Sequence, residues 1–321
     1  MRVLLVPSRR GAVMAAITAA IGLATCPPLA AQSSPTGAAR KTVPVSSDDQ
    51  LTGTLKKVRD SGVITVGYRA SSVPFSYVGP NREPIGYSIE ICKSIVDAIA
   101  DTLGRTVRIN WLPVTPDSRM AAITSGEADL ECGSTTNNAE RRKTVAFSPV
   151  IFVAGTKLMV TKGSPIRSFR DLDGKRLAVT AGTTNEKAVA QLVTRLKLKI
   201  ELLRGQDHAE SYAMVVDGKA DAFATDDVLL YGLIAENHAQ DRMAVVGDFL
   251  SYEAYGIMYR KDDPRMAAIV QDTLEEMATS RDLEYTYNHW FMRRLPSGQR
   301  INLPMSPQLS EIFQSMSSQT E

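Results

Sequence analysis

The chain has 321 residues, of which 44% are hydrophobic and 22% are charged, enough apolar material for the cores of about two domains. Residues 1–31 contain three arginines and no acid, and the remainder holds 34 basic and 35 acidic residues. A nearly neutral body without a run of Lys or Arg excludes the electrostatic footprint of a nucleic-acid-binding protein.

The N-terminal segment predicts export from the cytoplasm. Arginines at positions 2, 9 and 10 precede an apolar stretch over residues 12–25, and Leu29-Ala30-Ala31 offers the small residues of a cleavage site. We therefore expect a signal peptide at 1–31, a flexible leader at 32–50 and a periplasmic location. The apolar stretch is shorter than the roughly 20 residues of a transmembrane helix, but an N-terminal membrane anchor remains the alternative.

Two variants of export stay open. Cys26 ends a sequence that loosely resembles a lipoprotein box, which would anchor the protein through a lipid. Ser8-Arg9-Arg10 loosely resembles a twin-arginine signal.

Strands and helices alternate along the rest of the chain, which is typical of an α/β fold with parallel strands. The predicted strands cover residues 62–68, 107–111, 128–132, 174–180 and 254–259. Helices are predicted to begin at Ser88, at Asp117 or Ser118, and at Pro264 behind an Asp263 cap. Residues 125–130 and 217–222 repeat one pattern, in which a helix ends on Gly and an Ala-Asp step enters a strand. This repetition indicates two similar lobes.

The cysteines leave one question open. Cleavage after residue 31 would leave Cys92 and Cys132, and an oxidising compartment would allow them to pair. Cys92 also fits the buried stripe of a helix, together with Ile95, Val96 and Ile99. Both interpretations are kept.

Common catalytic motifs are absent from the sequence. It contains no H-E-x-x-H, C-x-x-C, G-x-S-x-G, P-loop or G-x-G-x-x-G pattern. The three histidines lie far apart, without the spacing of metal ligands. The absence of these motifs removes the common signals of an enzyme without excluding one. Our expectation is a protein with no cofactor, no metal and no catalytic residue.

Polar residues instead follow the predicted strands. Arg69 follows the first, residues 133–138 and Arg141 follow the third, residues 182–184 follow the fourth, and Asp226-Asp227 follows a further short apolar stretch. Ligands of open α/β sheets bind at the carboxyl ends of the strands, so these loops are expected to line one crevice.

The chain resembles the glutamate/aspartate-binding proteins of bacterial uptake systems, a branch of the polar amino-acid solute-binding proteins of family 3. The resemblance covers roughly residues 51–295. Its most specific part is the run Glu-Cys-Gly-Ser-Thr-Thr-Asn-Asn at 131–138, and the other matching stretches are 66–77, 140–141, 207–208, 226–227, 253–256 and 260–264.

The resemblance implies a two-lobe periplasmic binding protein fold of type II with two crossover hinge strands, near 152–156 and 249–253. Lobe 1 would comprise residues 51–153 and 252–321, and lobe 2 residues 154–251. The implied function is capture of L-glutamate or L-aspartate by a monomer that delivers it to the membrane permease of an ABC transporter, without enzymatic activity.

The resemblance also implies a role for each of eight side chains. The ligand's α-carboxylate would bind Arg141, Thr136 and Thr184. Its ammonium group would bind Asp226 and Ser134. Its side-chain carboxylate would bind Arg69, Arg119 and His208. Three arginines and one aspartate suit a ligand with two carboxylates and one ammonium. Pro116 stands where relatives often offer a hydroxyl, which leaves the choice between glutamate and aspartate open.

Two alternatives use the same scaffold. A dehydratase-like periplasmic enzyme would need a general acid or base, for which His208 and Glu253 are the candidates. A ligand sensor would need a separate partner chain to read the closed form.

Overall fold

The computed structural model describes residues 51–318. The predicted signal peptide and leader, and the residue of the suggested lipid anchor, lie outside this range. Within it, no helix combines the length and the apolar character needed to cross a bilayer.

The described range contains nine α-helices and fifteen strands. The helices are α1 (Gly53–Ser61), α2 (Tyr87–Leu103), α3 (Arg119–Ser125), α4 (Thr184–Leu196), α5 (His208–Val216), α6 (Asp227–Glu236), α7 (Pro264–Thr279), α8 (Asp282–Phe291) and α9 (Pro307–Ser317). The strands are β1 (Val63–Tyr68), β2 (Ser71–Ser72), β3 (Ser76–Val78), β4 (Pro84–Ile85), β5 (Arg108–Pro113), β6 (Leu130–Glu131), β7 (Val145–Phe147), β8 (Phe152–Ala154), β9 (Thr156–Thr161), β10 (Arg176–Thr180), β11 (Glu201–Gly205), β12 (Ala222–Asp226), β13 (Met243–Val246), β14 (Glu253–Tyr255) and β15 (Met258–Arg260).

Two five-stranded sheets organise the chain. The first has the order β5-β1-β6-β15-β7, and the second has the order β11-β10-β12-β9-β13. In each sheet the first three strands are parallel, as expected, and the last two are joined antiparallel. Each sheet therefore repeats one topology, in agreement with the two similar lobes that the sequence indicates.

The chain passes between the sheets along a separate pair of strands. Strand β8 pairs antiparallel with β14, with Phe152 opposite Tyr255 and Ala154 opposite Glu253. The first crossing matches its expected position, whereas the second continues past residue 253 to Tyr255. The pair forms the hinge, and the exact lobe boundaries given above stay a prediction.

The strand predicted over 254–259 is wrong as a single element. It is broken at Gly256, so that β14 belongs to the hinge and β15 to the first sheet. The backbone N–H of Gly256 donates to the carbonyl of Thr135, and Ile257 donates to the Ser148 hydroxyl instead of a neighbouring strand. The hydrophobic pattern is continuous, but its hydrogen-bond partners change from one sheet to another.

Two of the three helices begin where the sequence predicts, but only Asp263 caps its helix with its side chain. The side chain of Asp263 accepts a hydrogen bond from Met266 N at the start of α7, and Ser118 precedes α3. Ser88 is not the cap of α2, which begins one residue earlier at Tyr87. Its buried hydroxyl donates instead to the carbonyl of Gly133, at 2.8 Å, and so holds the loop after β6.

An aromatic cluster anchors the hinge in the core of the first lobe. Phe152 of β8 and Tyr255 of β14 both contact Phe75, with ring centroids 4.9 and 5.1 Å away. Phe291 of α8 stacks on Phe152 at 5.0 Å. These rings are buried, so the hinge strands are fixed on the side of the first lobe.

A disulfide bond joins Cys92 of α2 to Cys132, just after β6. Both residues are buried, so the two interpretations of Cys92 hold together: it lies on the buried stripe and it is paired. The bond joins residues that are 40 positions apart. Cys132 directly precedes the segment of residues 133–136.

We expect reduction of this disulfide to lower the free energy of unfolding by about 3 to 4 kcal/mol, because the cross-link restricts the unfolded chain. Urea denaturation with and without a reducing agent measures the change. The double variant Cys92→Ala/Cys132→Ala is the control and should not respond to the reductant. Equal stability of the oxidised and reduced proteins would contradict this expectation.

Candidate functional site

Seven of the eight expected site residues line one cavity between the two sheets. The cavity is bounded by Arg69, Arg119, Ser134, Thr136, Thr183, Thr184, Asn185, His208, Asp226 and Leu229. Most of these residues follow strands β1, β6, β10 and β12, or begin helices α3, α4 and α5. The carboxyl ends of the strands thus converge as the sequence predicts.

The cavity is small. Its free volume is about 10 Å³, close to the minimum for a single water molecule. Gly182, in the loop before α4, lies close to the loop at residues 116–117, because a Cβ at Gly182 would lie 2.9 Å from the Asp117 backbone. A ligand of amino-acid size needs more space than this cavity offers.

Arg69 and Arg119 form the cationic end of the cavity. Both are at most 2% exposed. Within residues 51–318, Nη1 and Nη2 of Arg69 and Nε of Arg119 have no hydrogen-bond partner. Burial, followed by the charge of Arg119, lowers the pKa of Arg69 to about 9, and burial lowers the pKa of Arg119. This end of the cavity is built for an anion with two or more acceptor oxygens.

Glu131 lies behind these arginines and was not predicted. Its Oε2 accepts a hydrogen bond from Thr135 Oγ1, at 2.5 Å, and Thr135 Oγ1 accepts one from Arg119 Nη1, at 2.6 Å. A Cβ at position 133 would lie 2.4 Å from Glu131 Oε1 and 2.9 Å from Arg69 Cγ. Only a glycine at 133 lets the carboxylate approach the arginines, so the specific run at 131–138 encodes this packing.

His208 also faces the cationic end. It is the first residue of α5, and the Asp207 side chain caps this helix through Glu210 N. Burial and the charges of Arg69 and Arg119 lower the pKa of His208 well below its ordinary value, so its imidazole is neutral at neutral pH. The Thr180 hydroxyl lies 2.9 Å from Nδ1. A neutral imidazole has a single N–H to donate.

Asp226 is the buried acid of the cavity. Its Oδ1 accepts a hydrogen bond from Asn185 Nδ2, at 2.7 Å, and the Tyr255 hydroxyl donates to Oδ2. Burial, and then the charge of Glu253, raises the pKa of Asp226 to about 7. Asn185 and Tyr255 were missed by the sequence analysis, because nothing in their local patterns separates them from structural residues.

Arg141 does not line the cavity directly. It begins a short 3₁₀ helix, Arg141–Lys143, and its Nη1 donates to the carbonyl of Thr136, at 2.8 Å. Burial, followed by the charge of Arg119, lowers the pKa of Arg141 to about 10. It therefore lies just behind Thr136, next to the cavity wall.

A second, larger cavity of about 620 Å³ lies beside the hinge strands. Its walls come from β8, the segment before β14, α8 and the C-terminal segment, and they are mainly apolar. It contains none of the eight expected residues. Asp227 lines this cavity while Asp226 lines the first, which separates the two adjacent acids.

No group of His, Cys, Asp and Glu among residues 51–318 has the arrangement of a metal site.

The bacterial extracellular solute-binding proteins, family 3, match residues 64–293 of the chain. The L-glutamate/L-aspartate-binding protein of Pseudomonas aeruginosa is 39% identical over 270 residues, covering 83% of this chain and 89% of that protein. The glutamate/aspartate import solute-binding protein of Escherichia coli is 38% identical over 262 residues, covering 81% and 87%. The chain belongs to family 3 of the bacterial extracellular solute-binding proteins.

Solved structures are similar over most of the described range. An ancestral arginine-binding protein bound to arginine has a TM-score of 0.64 and 28% identity, covering 72% of this chain and 98% of that one. An ancestral amino acid-binding protein that is a precursor of cyclohexadienyl dehydratase has a TM-score of 0.65 and 29% identity, covering 74% and 99%. The expected two-lobe binding-protein fold is confirmed.

Asp226 should make stability depend on pH. Its pKa of about 7 in the folded protein is above its ordinary value of 3.8, so between these values the folded protein holds a proton that the unfolded chain has released. The contribution of this group to the free energy of unfolding therefore falls as pH rises from about 4 to about 7 and is constant above.

We expect Asp226→Asn to gain stability relative to the natural protein across this pH range, as measured by urea denaturation between pH 4 and pH 8. The matched control is Asp217→Asn, which changes an exposed aspartate. Its free energy of unfolding should depend on pH in the same way as that of the natural protein. A parallel curve for Asp226→Asn as well would show that this carboxyl keeps an ordinary pKa.

Proposed function

We propose that this protein captures acidic L-amino acids, glutamate or aspartate, between its two lobes in the periplasm and delivers them to the membrane permease of an ABC transporter. The observation that carries the proposal is the pair of buried arginines whose guanidinium nitrogens lack partners within residues 51–318. The names of the relatives from P. aeruginosa and E. coli support it.

Each charged group of such a ligand is assigned to side chains of the site that complement it. Arg69, Arg119 and His208 receive the side-chain carboxylate. Asp226 and Ser134, whose buried Oγ lacks a partner within the described range, receive the ammonium group. Arg141 binds the α-carboxylate, with Thr136 and Thr184 beside it. An amino acid with two carboxylates thus meets a cationic group at each end and an acid between them.

Selectivity against neutral amino acids follows from burial. Removing a charge from water costs several kcal/mol unless a partner compensates it. A glutamine or asparagine side chain would leave the guanidinium groups of Arg69 and Arg119 without an anion. The protein discriminates through this penalty as much as through the contacts it gains with the acid.

Both lobes contribute to the site, so binding and closure are linked. Lobe 1, taken as residues 51–153 and 252–321, supplies the two buried arginines. Lobe 2, taken as residues 154–251, supplies Thr184, His208 and Asp226. A ligand that contacts both sets favours the closed form through the hinge of β8 and β14, and the permease distinguishes that form.

We infer that the protein acts by binding alone and as a monomer. The relative from P. aeruginosa carries the name of a binding protein, and the relative from E. coli that of an import solute-binding protein. One structural neighbour is a precursor of a dehydratase, but its own name is that of an amino acid-binding protein.

Arginine truncation tests the two carboxylate subsites. Each variant should weaken L-glutamate binding by about 100-fold or more, because a buried charged hydrogen bond is lost and its partner is left unsatisfied. Arg141→Ala should lower the affinity for all amino acids by the same factor, whereas Arg69→Ala should reduce the preference for glutamate over glutamine. Isothermal titration calorimetry measures both affinities.

The matched control for these variants is Arg142→Ala, which removes an exposed arginine next to Arg141. It should bind L-glutamate as the natural protein does. Unchanged glutamate affinity in Arg69→Ala would remove this residue from the site, and binding of glutamine as tightly as glutamate by the natural protein would overturn the proposed function.

Binding should release protons below about pH 7. The free protein holds a proton on Asp226, whose pKa is about 7, and a ligand ammonium beside it favours the ionised form. Affinity for glutamate should therefore rise with pH up to about 7 and then level off. Calorimetry at pH 6 in buffers of different ionisation enthalpy counts the protons, and the same titrations at pH 8.5 should show none. Proton release that is equal at both pH values would contradict a role for Asp226.

A further inference from the structure

Glu253, in the hinge strand β14, is a buried carboxylate at 3% exposure. Three hydroxyl groups donate to it. Thr136 Oγ1 and Thr184 Oγ1 donate to Oε2, at 2.8 and 2.7 Å, and Ser251 Oγ donates to Oε1, at 2.6 Å. Thr136 comes from the loop after β6 and Thr184 from the start of α4, so this carboxylate joins both lobes to the hinge.

The threonines line the cavity, whereas Glu253 does not. Glu253 therefore stands behind them and acts on a ligand only through their hydroxyl groups. Its second oxygen is held by Ser251, which fixes the direction in which Oε2 points.

The distances decide where the hydroxyl hydrogens point. A threonine hydroxyl has one hydrogen to donate, and a carboxylate can only accept. The two threonine oxygens are 3.2 Å from each other, farther than either is from Glu253 Oε2. Both hydrogens therefore point at Glu253, and the two hydroxyls of Thr136 and Thr184 turn their lone pairs to the cavity.

We propose that Glu253 is a positioning residue that makes the hydroxyls of Thr136 and Thr184 acceptors for the ammonium group of the ligand, beside Asp226. This inference rests on the proposed function and refines one of its assignments. The threonine hydroxyls serve the ammonium group, and the α-carboxylate is left to Arg141 and to the N–H groups at the start of α4, which have no acceptor within the helix.

The charge of Glu253 works in the same direction. It stands close enough to Asp226 to raise the pKa of that acid, so two carboxylates act on one side of the cavity. A cation is attracted there and a carboxylate is repelled. The arrangement orients the ligand, because reversing it would place the α-carboxylate against these acids.

The opposite arrangement makes a different prediction. If the threonine hydroxyls turned to donate to the α-carboxylate, Glu253 would have to release both of them on binding. It would then compete with the ligand, and its removal would tighten binding. An ammonium-free ligand separates these two arrangements.

The test compares L-glutamate with glutarate, the same dicarboxylate without the amino group, on the full chain. The variant Glu253→Gln is neutral and carries an amide N–H₂ group that donates to a threonine hydroxyl oxygen. The hydrogen of that threonine hydroxyl then points into the cavity. We expect Glu253→Gln to lower the affinity for L-glutamate by about 10- to 100-fold and the affinity for glutarate by less than about threefold. Calorimetry measures L-glutamate, and competition against L-glutamate measures glutarate.

The control is Glu284→Gln in α8, the same change of charge at a site that does not contact the cavity. It should leave both affinities unchanged. Equal weakening of both ligands by Glu253→Gln, or tighter binding of L-glutamate, would overturn the inference. Absence of L-glutamate binding by the natural protein would instead overturn the proposed function.

A double-mutant cycle gives a second measurement that does not depend on glutarate. If Glu253 acts through the hydroxyl of Thr184, the variant Thr184→Val should lower the affinity for L-glutamate. Adding Glu253→Gln to Thr184→Val should then lower this affinity by a smaller factor than Glu253→Gln does in the natural protein. Strictly additive losses would show that Glu253 does not work through Thr184. Thermal unfolding of each variant confirms that it is folded.

Discussion

The removal of Arg69 and Arg119 from water is the constraint on which the site depends. Isolating a guanidinium from water costs several kcal/mol unless other groups compensate it. The chain meets part of this cost with Glu131 and Thr135, which stand behind the arginines. Three guanidinium nitrogens remain without a partner in the described range, and this deficit is what an incoming carboxylate removes.

The rest of the cavity continues the same electrostatic pattern. The arginines occupy one end, and Asp226 follows with a pKa raised by burial and by Glu253. Arg141 stands next to the wall at Thr136. Because these groups are buried, the interactions of their charges are stronger than they would be on the surface. The buried charges of the cavity carry the proposed selectivity.

The fold brings this order about by placing loops from two sheets against each other. The parallel strands of each sheet end at the cavity, and the hinge pair of β8 and β14 lies beside it. The disulfide holds Cys132 directly before the loop that supplies Ser134 and Thr136. Glu253 belongs to the hinge and receives a hydrogen bond from each lobe, so site and hinge share a residue.

The sequence by itself determined the features that depend on neighbouring residues. The central parallel strands, the cap at Asp263 and the position of Arg69 after a strand all follow from hydrophobic periodicity and capping within a few residues. The family resemblance rests on short runs of the same kind. Such signals are local, and they can be read without knowing how the chain closes on itself.

Tertiary structure alone decided what depends on distant partners. Glu253 meets Thr136 across 117 positions and Thr184 across 69, and no local pattern links them. The pairing of Cys92, the break at Gly256 and the antiparallel strands β9 and β13 likewise depend on which segments become neighbours. The raised pKa of Asp226 has the same origin, because desolvation is a property of the folded surroundings and not of the residue.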